Sequence, residues 1–206
     1  MRKRAPTRVP TRVPIAAGLR CGYAVNRASH RLRGVEFLPS PHYDTRPKST
    51  DISLLVVHAI SLPPGKFGGP WIHRLFAGTI DARAQSRFGI RDAEVSAHLC
   101  IFRDGRTTQY VPFNRRAWHA GKSMFENRGR CNDFSIGIEL EGCDDQPFEP
   151  LQYRVLARIA RALMIAYPRI TPARIAGHSD IAPGRKTDPG PHFDWPRFHS
   201  ELELLT

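Results

Sequence analysis

The stretch Leu54-Leu55-Val56-Val57-His58 runs four apolar side chains directly into a histidine. Residues 52–57 form a short run that is apolar except for Ser53, which suits a strand covered on both faces. Buried strands of that kind lie inside α/β sheets, where functional groups gather just beyond the strand ends. His58 stands at such an end. A lone histidine after an apolar strand is more often a buried structural residue than a ligand, so its partners have to come from elsewhere in the chain.

Outward from that strand the body reads as mixed α/β. In residues 135–140 (SIGIEL), Ile136, Ile138 and Leu140 share one face, and Ser135, Gly137, Glu139 and then Glu141 share the other. Residues 95–102 and 107–111 flank Asp104-Gly105, a hairpin turn signal. Residues 151–167 form the strongest helix, with Val155, Leu156, Ile159, Leu163 and Ala166 as its apolar stripe and Pro168 as its stop. Residues 71–76 and 195–205 are shorter helices, the second with Pro196 near its first turn. Residues 78–94 have little periodicity and are expected to be a functional flap. The fold class is α/β, a single domain with a central mixed β-sheet flanked by helices.

The 206 residues fit one domain, and their formal charge of +12 first suggests a nucleic-acid partner. Nine of the 31 basic residues and none of the 19 acidic ones fall in residues 1–34, leaving the remainder close to balance. Residues 1–34, with the near-repeat PTRVPTRVP, therefore read as a basic, disordered N-terminal tail, and 35–206 as the folded domain. No nucleic-acid motif lies in that domain, which disfavours such a partner. Pro14 and Gly18 break the tail's only apolar stretch, so it makes a poor secretory signal. No run approaches the roughly 18 apolar residues of a membrane span. A cytoplasmic protein with no membrane partner is expected. Cys21, Cys100, Cys131 and Cys143 are irregularly spaced and expected to be free thiols.

The chemistry concentrates in GHSDIAPGRKTDPGP, residues 177–191. With His58, the residues His178 and Asp188 make a two-imidazole, one-carboxylate set, which leaves zinc a fourth position for water. Lys186 precedes Asp188 by two residues, and in an extended segment the two face one site. An ammonium beside a cation has a use if it stabilises a developing oxyanion. Glu139 is the better general-base candidate because Gly137 beside it leaves room for a ligand. Glu141 is the competing choice on the same face.

These segments resemble a known family. PSPHYDTRP (39–47), LLVVHAISLPPGKFGGPWI (54–72), VSAHL (95–99), QYVPF (109–113), RAWHAG (116–121), CNDFSIGIELEG (131–142), 177–191 and FDWPRF (193–198) are similar to the zinc N-acetylmuramoyl-L-alanine amidases. Phage T7-type lysozyme and the peptidoglycan recognition proteins belong to that family. Within it the chain looks most like the cytoplasmic 1,6-anhydro-N-acetylmuramyl-L-alanine amidases of peptidoglycan recycling. The resemblance covers the body from about Val35 and not residues 1–34.

It implies a peptidoglycan-recognition-protein-like amidase fold, one zinc per chain, and a muropeptide substrate met by a monomer. Its ligands fall on His58, His178 and Asp188, its catalytic glutamate on Glu139 rather than Glu141, and its catalytic lysine on Lys186. Trp118 falls where the sugar is contacted and Arg130 where the peptide carboxylate is met, while His98 falls on a structural position. The implied reaction is metal-assisted hydrolysis of the amide between muramic acid and L-alanine. Ala59 and Glu94 depart from the family's pattern, which bears on substrate preference and leaves the chemistry intact. A secreted or lytic cell-wall amidase is the nearest alternative, and a non-catalytic peptidoglycan-binding module a more distant one.

Overall fold

The computed structural model describes residues 22–47 and 52–205. Its first strands are short: β1 (Val25–Asn26), β2 (Arg31–Leu32), β3 (Glu36–Phe37) and β4 (Tyr43–Thr45). Then come β5 (Leu54–Ile60), helices α1 (Trp71–Phe76) and α2 (Ala82–Phe88), and strands β6 (Leu99–Ile101), β7 (Thr107–Gln109) and β8 (Arg115–Ala117). Strands β9 (Met124–Phe125) and β10 (Arg128–Gly129) precede β11 (Ser135–Glu141) and the long helix α3 (Pro150–Ala166). Strand β12 (Ile175–Gly177), the single turn α4 (His178–Ile181) and α5 (Trp195–Glu203) complete the domain.

Six strands form the main sheet in the order β12-β5-β11-β6-β7-β3. All neighbours are parallel except the β6–β7 hairpin, which turns at the expected Asp104-Gly105. On one face, Leu55, Val57, Ile136, Ile138 and Leu140 pack against Val155, Leu156, Ile159 and Leu163 of α3 and Phe198 of α5. Each such side chain contributes about 1.5–3 kcal/mol on burial, so this layer holds the sheet's back. The opposite face is covered by Phe134, Ala176 and Ile181 beside Leu54 and Val56. Helices α1 and α2 bury a further cluster around Phe76, Phe88 and Tyr110.

Three expectations need correction. Strand β5 does not end before His58. It runs to Ile60, because β11 keeps pairing with it as far as Glu141. Residues 78–94 are not an irregular flap, since they contain α2. The Asp81 side chain accepts the Ala84 N–H at 2.8 Å, and Gly89, with φ of 70°, closes the other end. Ile90 and Ala93 beyond it do line a cavity.

The third correction concerns the domain boundary expected at 34/35. Residues 22–34 carry the β1–β2 hairpin, and Leu32, 4% exposed, belongs to the main core. The Leu32 N–H donates to Gln109 Oε1 at 2.8 Å, and His30 Nδ1 lies 2.9 Å from the Tyr167 hydroxyl. Composition hid this because Arg27, Arg31 and Arg33 dominate the segment, while Leu32 is buried and Tyr23 and Val25 pack partly buried against the same core. The rest of the expected tail, residues 1–21, lies outside the described residues.

Leu32→Ala is therefore expected to cost about 2–5 kcal/mol. For a domain of this size that is a fall of about 4–20 °C in Tm. A melt shifted by less than about 1 °C would put residues 22–34 outside the cooperative unit.

Candidate active site

Strand register assembles the site. Glu139 of β11 pairs directly with His58 of β5, so in a parallel ladder the two side chains stand on one face. Strand β12 runs parallel on the other side of β5, with Gly177 opposite Val57, and His178 follows at the same edge. This is the C-terminal edge of three parallel strands, where α/β sheets place their ligands. The chain then turns back, and the Ser179 N–H donates to the Asp188 carbonyl at 2.8 Å. The segment around Lys186 is a turn and not the extended stretch expected. Arg185 and Lys186 N–H groups both donate to the Ala182 carbonyl. Lys186 and Asp188 still line one cavity with His58, Glu139 and His178.

The structure brings His58, His178 and Asp188 together as a group with metal-ligand donors within 4.8 Å of one another. His58 Nδ1 and His178 Nδ1 are 3.0 Å apart, and each lies 3.1 or 3.0 Å from Asp188 Oδ2. Ligands about 2.0–2.2 Å from a tetrahedral zinc sit only slightly farther apart than this. Three lone pairs converging in the protein interior repel one another unless a cation stands between them, so the donor set fits a metal. Burial pushes His58 down to about 4 against the opposing pull of Asp188, keeping a bare nitrogen available. Burial raises the Asp188 carboxyl, but its contacts with His178 and His58 outweigh that and hold it below the ordinary carboxylate range.

Glu139 sits beside this group. Burial first, and the Asp188 carboxylate second, raise it well above the usual range, with Lys186 opposing. Its Oε2 is buried with no hydrogen-bond partner, a costly state that a water or substrate donor would relieve. Glu141, two residues on, is committed elsewhere. Its carboxylate accepts the N–H groups of Gly68 and Arg103 and ties two loops to the strand.

The cavity around Glu139 measures about 280 Å³ and adjoins a second of about 720 Å³ through Ala59, Ile60, Lys186 and Asp188. Ala59, the departure next to the first ligand, thus faces both, whereas Glu94 is exposed and lines neither. Trp118 lies on the wall of the smaller cavity. Its indole nitrogen is buried near the Asp44 carboxylate, without hydrogen-bond geometry to it. Arg130 is exposed, paired with Asp133 at 3.2 Å, and lines neither cavity. His98 is structural: its Nδ1 accepts the Gly137 N–H, and its Nε2 faces the Arg115 carbonyl.

Gly137 and His119 stand differently from what the sequence suggests. The space that Gly137 leaves beside Glu139 is filled by the ring of His119, since a Cβ at Gly137 would meet His119 Cγ at 2.5 Å. His119 Nδ1 lies 2.9 Å from His58 Nε2. Its only sequence signal was its place next to Trp118 in RAWHAG (116–121), and no spacing rule links residue 119 to residue 58.

Residues 48–191 match the family described as N-acetylmuramoyl-L-alanine amidase. The 1,6-anhydro-N-acetylmuramyl-L-alanine amidase AmpD of Escherichia coli (strain K12) is 59% identical over 168 residues, covering 81% of this chain and 91% of that protein. The protein of the same name from Haemophilus influenzae is 53% identical over 167 residues, covering 81% and 91%. A crystal structure of a selenomethionine AmpD derivative superposes with a TM-score of 0.82 at 55% identity, covering 86% of this chain and 98% of that one. With its mixed sheet, its converging donors and a match across most of its length, the chain belongs to the N-acetylmuramoyl-L-alanine amidase family.

Proposed function

We propose that the protein hydrolyses the amide between N-acetylmuramic acid, in its 1,6-anhydro form, and the L-alanine of muropeptides. The observation that carries this reading is the buried, unpartnered Oε2 of Glu139 on the wall of the cavity where His58, His178 and Asp188 converge. The similarity to AmpD proteins supports the anhydro-sugar substrate. So does the likeness to Escherichia coli AmiD, in a structure of its complex with the substrate anhydro-N-acetylmuramic acid-L-Ala-D-γ-Glu-L-Lys, at 34% identity and a TM-score of 0.55.

His58, His178 and Asp188 would hold one zinc ion, which supplies a Lewis acid and lowers the pKa of a water toward about 7. The chain's own groups perform the remaining steps. Glu139 takes the proton from the attacking water and passes it to the departing L-alanine nitrogen, a transfer suited to a carboxyl whose proton affinity burial has raised. Lys186 lines the same cavity and stabilises the oxygen that gains negative charge, an effect of about 2.7–4 kcal/mol per donor. Trp118 offers its ring face to the sugar from the cavity wall, and Arg130 meets the peptide carboxylate outside it.

No helix among the described residues is long and apolar enough to cross a membrane. We place the reaction in the cytoplasm, in the turnover of recycled wall fragments, because Cys100, Cys131 and Cys143 are free thiols that suit a reducing compartment. All proposed ligands come from one chain, so the proposed site needs no partner subunit to complete it.

Mass spectrometry of the zinc protein incubated with anhydro- and reducing-end muropeptides should find a free amino sugar and a peptide beginning at L-alanine, with the anhydro substrate consumed faster. An intact substrate, or cleavage at another bond, would overturn the assignment. Asp188→Ala is expected to lose bound zinc and turnover together.

Glu139→Ala should keep zinc and lose about 10²–10⁴ in rate. Glu141→Ala, by contrast, should lower Tm by releasing the Gly68 and Arg103 loops while retaining most turnover in the folded fraction. The reverse pattern would exchange their roles.

A further inference from the structure

We propose that His119 is the positioning residue of the metal centre. It accepts the Nε2 proton of His58 and so fixes the tautomer that leaves His58 Nδ1 bare. This rests on the reading of His58, His178 and Asp188 as metal ligands.

Proton bookkeeping leads to it. His58 turns Nδ1 toward His178 and Asp188, so a cation there requires the His58 proton to be on Nε2. His58 is 1% exposed, and a buried N–H without an acceptor is costly. His119 Nδ1, at 2.9 Å, takes that position. Acting as acceptor, His119 must carry its own proton on Nε2, which points at Ser135 Oγ 3.2 Å away. Both protons of the pair are thereby placed. His178 is treated in parallel by the adjacent residue, its Nε2 facing the Ala120 carbonyl at 3.2 Å.

Three further residues hold His119 where this exchange needs it. Asn132 Oδ1 accepts both the His119 and Ala120 N–H groups, at 3.2 and 2.8 Å, so one side chain sets the backbone that serves both imidazoles. Gly137 provides the space, because a Cβ there would lie 2.5 Å from His119 Nδ1. Ser135 receives the outer proton. Ser135, Gly137 and Glu139 occupy alternate positions of β11. One face of one strand therefore supplies the acceptor for the outer proton of His119, the gap for its ring and the proposed general base.

Zinc affinity measured by chelator competition, with the melting temperature of each metal-free protein alongside, separates this from a packing role. His119→Leu removes the acceptor and should weaken zinc about 10–100-fold, the usual effect of losing a partner behind a ligating histidine. His119→Asn puts Oδ1 close to the place of Nδ1 and should bind within about 3-fold of the unaltered protein, because the lost partner is restored. Wild-type affinity in His119→Leu would overturn the proposal. So would a loss in His119→Asn as large as that in the leucine variant. If the leucine variant does not fold, a loss of about tenfold or more in His119→Asn alone overturns it. Asp188→Ala is the control for the underlying reading. If it binds zinc normally, the ligand assignment has failed and not merely the role of His119.

Discussion

The parallel pairing of β5 with β11, in a register that sets His58 against Glu139, is the constraint on which the rest depends. A slip of one residue would turn Glu139 into the α3 layer and bring Ile138 or Leu140 to the cavity. Register is held by Leu55 and Val57 on one strand and Ile136, Ile138 and Leu140 on the other, all in the same apolar cluster. The helices behind the sheet therefore stabilise the domain and aim the site through the same side chains. Strand β12 adds His178 at the same edge for the cost of three paired residues.

Into that frame the structure gathers the imidazoles of His58 and His119, which burial pushes below the ordinary histidine range, and two carboxylates pushed in opposite directions. Asp188 is held low by His178 and His58 despite its burial, as a ligand should be. Glu139 is raised by burial and by Asp188, as a proton acceptor for hydrolysis should be. Environments that separate two nearby carboxyls in this way suit the roles proposed for them, Asp188 as ligand and Glu139 as base. Lys186 acts on His58 and Glu139 from the cavity they share. Arg46, buried against the carbonyls of Phe113, Asn132 and Ser135, adds fixed positive charge beneath the imidazoles.

Much of this was legible in the sequence where one residue type has few uses. Continuous apolar runs marked β5, alternation marked the two faces of β11, and the 3.6-residue stripe marked α3. Short elements with local caps were less legible: α2 depends on Asp81 and Gly89, two residues that also occur in loops. The hairpin of residues 22–34 was hidden by its arginines, because composition averages over the single buried Leu32. Of the residues proposed for the site, His58, His178, Asp188, Glu139 and Lys186 line one cavity, while Arg130 lines neither that cavity nor the larger one beside it. The contact between His119 and His58 was not legible, because hydrogen-bond partners 61 positions apart leave no periodic trace. The gap at Gly137 was noticed, but a sequence cannot say whose ring fills it.

Long-range proton–nitrogen NMR of the histidines in the zinc-loaded protein tests the account most directly, because it reports which ring nitrogen carries each proton. The account predicts that His58 and His178 bind metal through Nδ1 with protons on Nε2, and that His119 is neutral with its proton on Nε2. Metal bound through Nε2 of His58, or a doubly protonated His119, would contradict it.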